Sequence, residues 1–421
     1  MFEGSVDERV KILANGAKYD VSCSSSGADR KGAKGLLGSA AAGGICHSFA
    51  ADGRCISLLK ILLTNNCVYD CLYCANRRSN DVPRATLTPR ELANLTIDLY
   101  RRNYIEGLFL SSAVEHSPDC TMERMYEAVR ILRKEYGFGG YIHLKCIPHA
   151  DPTLVKRAAE LADRMSVNIE LPNEQGLKLL APAKTKPAIL LPMRQLSDIY
   201  LDGKETKRRG APLPAGQTTQ LIVGATPDPD GQIVKLSEAL YRSYGLKRVY
   251  YSAYMNLNTS SLLPVLPTPL IREHRLYQAD WLLRFYGFSA SEILPENANL
   301  DLSLDPKAAW ALQHPELFPL EVNTAPYEML LRTPGVGVRG AWKIREARRH
   351  GNLGYDDLKR LRIVLKRARH FITVGGKFYG HSGEITREVM THLDAPDVVQ
   401  PSLLEYNRNR ELTYSLITGE F

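Results

Sequence analysis

The sequence predicts an α/β protein: a partial (β/α)6 barrel followed by a small all-α region. Three observations carry this. Between Ile56 and about Leu257, short apolar runs alternate six times with stretches of helical periodicity. Directly behind the first apolar run lies a cysteine triplet, Cys67, Cys71 and Cys74, in CxxxCxxC spacing. Beyond Leu257 the alternation stops, and a Pro-rich stretch over 258–270 leads into helical segments. Six consecutive βα units pack as a parallel sheet with right-handed crossovers, curled into an open barrel. In such sheets the active residues belong at the C-terminal ends of the strands.

The chain has 421 residues, 44% hydrophobic and 24% charged, which is the make-up of an ordinary soluble protein of two or three domains. The expected divisions are a lead-in over 1–55, the barrel over 56–290, a helical domain over 291–385 and a tail over 386–421. No apolar run is long enough to cross a bilayer. The opening MFEGSVDERVK lacks a basic-then-apolar secretory pattern, so a cytoplasmic protein is expected. Eight cysteines, three of them clustered, read as reduced ligands and not as a disulfide framework. The net charge of +8 is local: residues 332–370 hold twelve Lys/Arg against three acids, a net of +9. A positive excess gathered in one segment suggests a polyanionic partner.

Residues 24–44 are rich in Gly, Ala and Ser and read as a loop. Cys23, Cys46 and Cys55 lie in or beside it, with His47 near; they are either ligands of a second cluster or small buried residues. The first strand is expected over Cys55–Leu63. Thr88-Pro-Arg-Glu91 reads as a capping box that starts a helix. Strand two is expected over Gly107–Ala113. The helix behind it has Met125, Val129, Leu132 and Tyr136 on one face. Strand three is expected over Tyr141–Ile147, with His143 and Lys145 sharing a face as substrate groups or as paired polar residues of the lumen. Asp151-Pro152 caps the next helix. Strands four, five and six are expected over Met165–Leu171, Thr218–Ala225 and Arg248–Tyr254. A polar loop over 203–217 carries Lys204, Lys207, Arg208 and Arg209, and is either solvated or placed to contact phosphates.

Three thiolates from one short loop suit a [4Fe–4S] cluster, with one cysteine per iron and one iron left open. Zinc sites usually show paired CxxC or Cys/His units, and none completes the set here. The run CVYDCLYC after an apolar strand resembles the cluster loop of the radical SAM superfamily, including aromatic Tyr73 before the last cysteine. That resemblance implies that S-adenosylmethionine (SAM) chelates the open iron and is cleaved to a 5′-deoxyadenosyl radical. It also implies an external one-electron donor of the flavodoxin or ferredoxin type. By the same resemblance Ser111 and Ser112 would hold the SAM amino group, Asn168 and Glu170 its ribose and carboxylate, and Gly224 would pack on adenine. No further catalytic residue is named by the sequence.

Thr324–Ile344 resembles a helix–hairpin–helix motif, with PGVG at the turn and Ala341 and Ile344 facing inward. Gly335, Val336 and Gly337 would present backbone N–H groups to phosphate, and Arg339 and Lys343 would add charge. Asp356–Phe371 resembles a degenerate second copy with Arg362 in the hairpin and with Lys366 and Arg367 behind it. The lead-in, the cysteine loop and the PGVG unit together resemble the DNA modification/repair radical SAM proteins. The expected function is thus radical modification or repair of a nucleic-acid base or sugar, in DNA before RNA. The alternatives are a tRNA-modifying radical SAM enzyme and a non-catalytic DNA-binding redox sensor.

Overall fold

The computed structural model describes residues 5–18, 45–49, 55–206 and 211–380. Cys23 and the basic run 207–209 lie outside these residues. The chain divides into two compact units, the first comprising residues up to 227 together with 239–268.

The first unit opens with α1 (Val6–Ala17), which begins in a capping box between Ser5 and Glu8 and buries Leu13, Ala14 and Ala17. The strands β1 (Ile45–Phe49) and β2 (Cys55–Leu62) pair antiparallel. α2 (Pro89–Arg101) starts at the predicted Thr88/Glu91 box and buries Leu92, Ala93, Thr96 and Ile97. β3 (Gly107–Ser111) precedes α3 (Pro118–Arg130), which runs on as a π-helical turn over Ile131–Glu135. That turn inserts an extra residue into the helical register, so Met125, Val129 and Leu132 are buried as expected while Tyr136 is exposed. Tyr136 instead donates from its phenol to Asn94, at 2.6 Å.

β4 (Tyr141–Lys145), α4 (Pro152–Ala159, capped by Asp151), β5 (Arg164–Ser166), α5 (Glu174–Leu180) and α6 (Lys186–Glu205) follow. The unit closes with β6 (Gln217–Val223), the part of helix α7 (Asp230–Tyr244) from residue 239 on, and β7 (Arg248–Ala253). Strands β2 to β7 lie in sequential order, all parallel, with β1 on the edge, which is the expected curled half-barrel.

The expected fourth strand over 165–171 ends early. Asn168 and Glu170 are therefore not neighbours along one strand face: beyond Ser166 only Glu170 bridges to Leu221. Glu170 has a left-handed φ of 65°. A strand cannot pass through that conformation.

Among the described residues the second compact unit holds 228–238 and 269–380, and α8 (Leu270–Phe285) opens its longer run. Then come α9 (Ala290–Ile293), α10 (Pro306–Gln313), β8 (Leu320–Glu321), α11 (Tyr327–Arg332), α12 (Val338–Ala347), α13 (Tyr355–Arg360), α14 (Leu365–Ala368), β9 (Ile372–Val374) and β10 (Lys377–Phe378). Because β9 pairs with both β8 and β10, the region expected to be all-α carries a small three-stranded sheet. Two short helix pairs, α11/α12 and α13/α14, repeat at an offset of 27 residues, from 335 to 362 and from 341 to 368. Ala341 and Ala368 are both fully buried, as are Ile344 and Leu358, and Val336 and Ile363 are nearly so. Both turns use the left-handed region, Gly335 at φ 80° and Arg362 at φ 61°.

The two turns differ in crowding. A Cβ on Gly335 would stand 2.6 Å from the Val364 carbonyl oxygen and 2.7 Å from the Ala368 amide nitrogen. Gly337 has an ordinary φ of −85°, and a Cβ there would meet only the Tyr286 hydroxyl, at 3.6 Å. Gly335→Ala should therefore lower unfolding stability by about 2 kcal/mol or more through strain and backbone overlap. Gly337→Ala, at a helix N-cap, should cost less than about 1 kcal/mol. Thermal or urea unfolding of the two variants checks the difference, and equal losses would contradict it.

Candidate active site

The cysteine loop leaves the C-terminal end of β2 and returns at an isolated bridge between Thr64 and Thr86. Backbone bonds seat it on its neighbours: Val68 N–H donates to the Val114 carbonyl at 2.8 Å, and Leu72 N–H to the Leu180 carbonyl at 2.8 Å. Inside the loop, one guanidinium does most of the holding. Arg84 donates to four backbone carbonyls, those of Asn65, Asn76, Arg77 and Asn80, at 2.6–2.9 Å. Asp70 takes a bidentate pair from Arg77, at 2.7 and 2.6 Å, and this holds its carboxyl well below the ordinary range.

The three thiols of this loop are held back from water to different degrees, with Cys71 buried and Cys67 and Cys74 half-buried. Burial pushes the Cys71 thiol up, and pushes Cys74 to about 12, with the neighbouring Cys71 adding to the effect. Such thiols stay protonated in a bare pocket and lose their protons to a metal centre that brings positive charge. Among the described residues no three His, Cys, Asp or Glu side chains converge as they would on a single ion. In a cubane each cysteine binds a different iron, so a cluster needs its thiols spread around it. The loop fits a cluster in a further respect: the Tyr73 hydroxyl is buried with no hydrogen-bond partner among the described residues. A native interior rarely leaves such a group unpaired, and an absent partner explains it.

The other residues expected to serve SAM differ in what they touch. Ser111 is buried, and its carbonyl accepts from Leu63 N–H at 2.9 Å. Ser112 is half-buried and bonds its hydroxyl to the Ala113 carbonyl, at 2.7 Å. Gly224 sits at φ 78°, and a Cβ there would lie 2.1 Å from the Thr268 hydroxyl. Its side of the strand end is thus filled by the chain itself. Asn168 lines a small cavity inside the curl with Phe109, His143, Lys145, Ser166 and Gln220. His143 and Lys145 are inward-facing. His143 shares a 3.1 Å hydrogen bond with Ser166 and sits edge-on to Phe109. Burial, with Arg164 and Lys145 nearby, keeps its imidazole pKa well below the ordinary value.

Two residues that no spacing rule singles out complete the site. Lys184 forms an ion pair with Glu170 at 2.6 Å, the side chains 15% and 9% exposed. Burial opposes the Lys184 charge, but Glu170 together with Tyr73 and Cys71 outweighs it, and the ammonium pKa lies well above its usual value. Asn258, in the segment after β7, donates to the carbonyls of Leu72 and Cys74 at 2.8 and 3.0 Å. Of the cysteines suggested for a second cluster, Cys23 lies outside the described residues, while Cys46 and Cys55 stand on the paired strands β1 and β2.

Residues 61–202 match the family described as the Radical SAM superfamily, so this stretch carries a radical SAM domain. Such a domain implies a [4Fe–4S] cluster and SAM. Among solved structures the chain is similar to the FeFe-hydrogenase maturase HydG from Carboxydothermus hydrogenoformans, at 14% identity and a TM-score of 0.39 over 53% of this chain and 50% of that one. A second structure of HydG, a maturase of the [FeFe]-hydrogenase, gives 13% identity and a TM-score of 0.41 over 53% and 48%. The chain thus spans about half the length of each. No curated protein matches it.

Removing one partner of the buried Lys184–Glu170 pair leaves the other charge stranded. Lys184→Met should lower stability by about 3–5 kcal/mol. Adding Glu170→Gln to it should restore a substantial part. Urea unfolding of the single and double variants measures this, and a double variant weaker than the single one would contradict the pairing.

Proposed function

We propose that the protein is a radical SAM enzyme that modifies or repairs a base or sugar of a nucleic acid, in DNA before RNA. Cys67, Cys71 and Cys74 hold the cluster, and Tyr73, Ser111, Ser112, Glu170 and Asn168 serve SAM beside it. When bound, the pair supplies one-electron cleavage of SAM and hydrogen-atom abstraction; the chain supplies position, dryness and charge. The observation that carries the radical chemistry is the single loop bearing three water-shielded thiols at the mouth of a parallel half-barrel. An external donor of the flavodoxin or ferredoxin type provides the electron.

The nucleic-acid partner rests on the second unit. Its two helix pairs support the reading as a helix–hairpin–helix with a degenerate second copy. The seven residues expected to bind phosphate are not alike in availability. Gly337, Arg339 and Lys366 are exposed. Val336 is buried, and its carbonyl accepts from the Lys307 ammonium at 2.5 Å. Gly335 is packed against the second pair, Lys343 reaches the Leu361 carbonyl, and Arg367 is paired with Asp305. Phosphate contact therefore falls to the Gly337 edge, Arg339 and Lys366, where charge stands free of ion pairs among the described residues. Contacts of that kind give affinity without sequence preference, so the choice of target belongs to the barrel. A target inside a duplex must be turned out of the stack to reach a buried site.

Anaerobically reconstituted protein should bind about four irons per chain, and Cys71→Ala should lose the cluster absorbance together with dithionite-driven release of 5′-deoxyadenosine. Iron that stays near four in the variant contradicts the ligand assignment. About eight in the wild type would instead support a second cluster. Deuterium transfer from a labelled oligonucleotide into 5′-deoxyadenosine identifies the atom attacked.

For the second unit, Arg339→Ala with Lys366→Ala should weaken binding of duplex DNA and reduce the slope of log affinity against log salt by about two. SAM cleavage without nucleic acid should be unchanged. Equal binding by both proteins to duplex DNA, single strands and tRNA overturns the phosphate role, and a preference for tRNA moves the target to RNA.

A further inference from the structure

The parallel run of the barrel begins at β2, from which the cysteine loop leaves, and ends at β7. The segment after β7 carries Asn258, and this one side chain joins the two ends of the run across the mouth. Its amide nitrogen donates to the Leu72 carbonyl at 2.8 Å and to the Cys74 carbonyl at 3.0 Å. Its amide oxygen accepts from Asn80 at 2.7 Å, and the Asn80 amide also reaches the Ala75 carbonyl at 2.9 Å. The two carbonyls that Asn258 holds lie one residue before Tyr73 and on Cys74 itself. Fixing those peptide planes fixes the direction in which the last thiol and the aromatic ring leave the backbone.

We propose that Asn258 is a positioning residue that holds the cysteine loop in the shape that retains the cluster, by tying it to the far end of the parallel sheet. The inference rests on the assignment of the cluster to Cys67, Cys71 and Cys74. Arg84 holds the loop from within its own stretch of chain; Asn258 alone among the described side chains ties the Leu72 and Cys74 carbonyls to the β7 end. Partners that orient ligands in this way typically matter ten- to hundredfold for metal retention.

The chemistry of the amide gives the test its direction. Asn258→Asp keeps the size and the acceptor for Asn80, but turns a carboxylate oxygen toward two carbonyl oxygens. Asn258→Ala removes the tie and leaves a gap. A residue that only filled space would make Asp the milder change; a residue that donates to carbonyls makes Asp the worse one. Asn256→Ala is the control: Asn256 lies in the same segment and donates to the Val265 carbonyl at 2.7 Å, with no bond to the cysteine loop.

The experiment reconstitutes the wild type and the three variants anaerobically with iron and sulfide. It measures iron per chain, the rate of cluster bleaching in air, and the electron paramagnetic resonance spectrum of the reduced protein. Bleaching should be about tenfold faster or more in Asn258→Ala, and faster again in Asn258→Asp, with an altered spectrum in both. Asn256→Ala should match the wild type. Wild-type rates in both Asn258 variants, equal damage from Asn256→Ala, or Asp milder than Ala each overturns the proposal. A wild type that takes up no iron overturns the cluster assignment as well, which separates the two failures. Circular dichroism of each variant before reconstitution establishes that the loss is not one of folding.

Discussion

The site depends on backbone carbonyls being satisfied where no regular secondary structure can satisfy them. The loop between Leu63 and Thr86 carries the three cysteines outside the sheet, and such a loop leaves its C=O groups without ladder partners. Arg84 takes up four of them with one planar fork, and Asn258 takes two more, one of them on Cys74 itself. A guanidinium suits the task because its five donors are fixed in a plane and its charge is never lost. These two side chains together donate to six carbonyls of the loop.

Strain near the site has a visible counterweight. Glu170 takes a left-handed conformation that costs a non-glycine residue about 1–3 kcal/mol. Its amide donates to the Gln220 carbonyl at 3.1 Å and its carbonyl accepts from Ile222 at 2.7 Å, while Lys184 meets its carboxylate. Three interactions thus hold one residue in an uncommon geometry beside the thiols. The result is a carboxylate turned away from the strand direction and toward Lys184, whose charge Tyr73 and Cys71 also favour.

What the sequence made legible was local. The cysteine spacing, the Thr88/Glu91 box and the order of six strands all follow from residues within a few positions of one another, and each is present. What it hid depends on contacts between distant residues. β5 ends at Ser166, where the Thr219 hydroxyl takes the Val167 carbonyl and the Ile169 amide out of the ladder, and Glu170 beyond it is held through β6 and through Lys184. Asn258 lies more than 180 residues from the carbonyls it holds, and a lone asparagine after a strand has no periodicity to mark it. Charge counting had a related limit: it gathers Arg339 with Arg367, though the first is exposed and the second is committed to Asp305.

The repeated helix pairs in the second unit carry one more consequence. At the first turn the left-handed residue is pressed against the backbone of the second pair, so that position admits no side chain at all. At the second turn the matching residue, Arg362, faces solvent and bears a long cation in the same backbone conformation. The two turns are therefore alike in shape and unlike in tolerance. The first is a fixed bearing that sets the spacing of the pair. The second is a socket into which different side chains can be fitted without refolding the unit, so the character of that surface can be retuned by changing one residue while its geometry is inherited from the other.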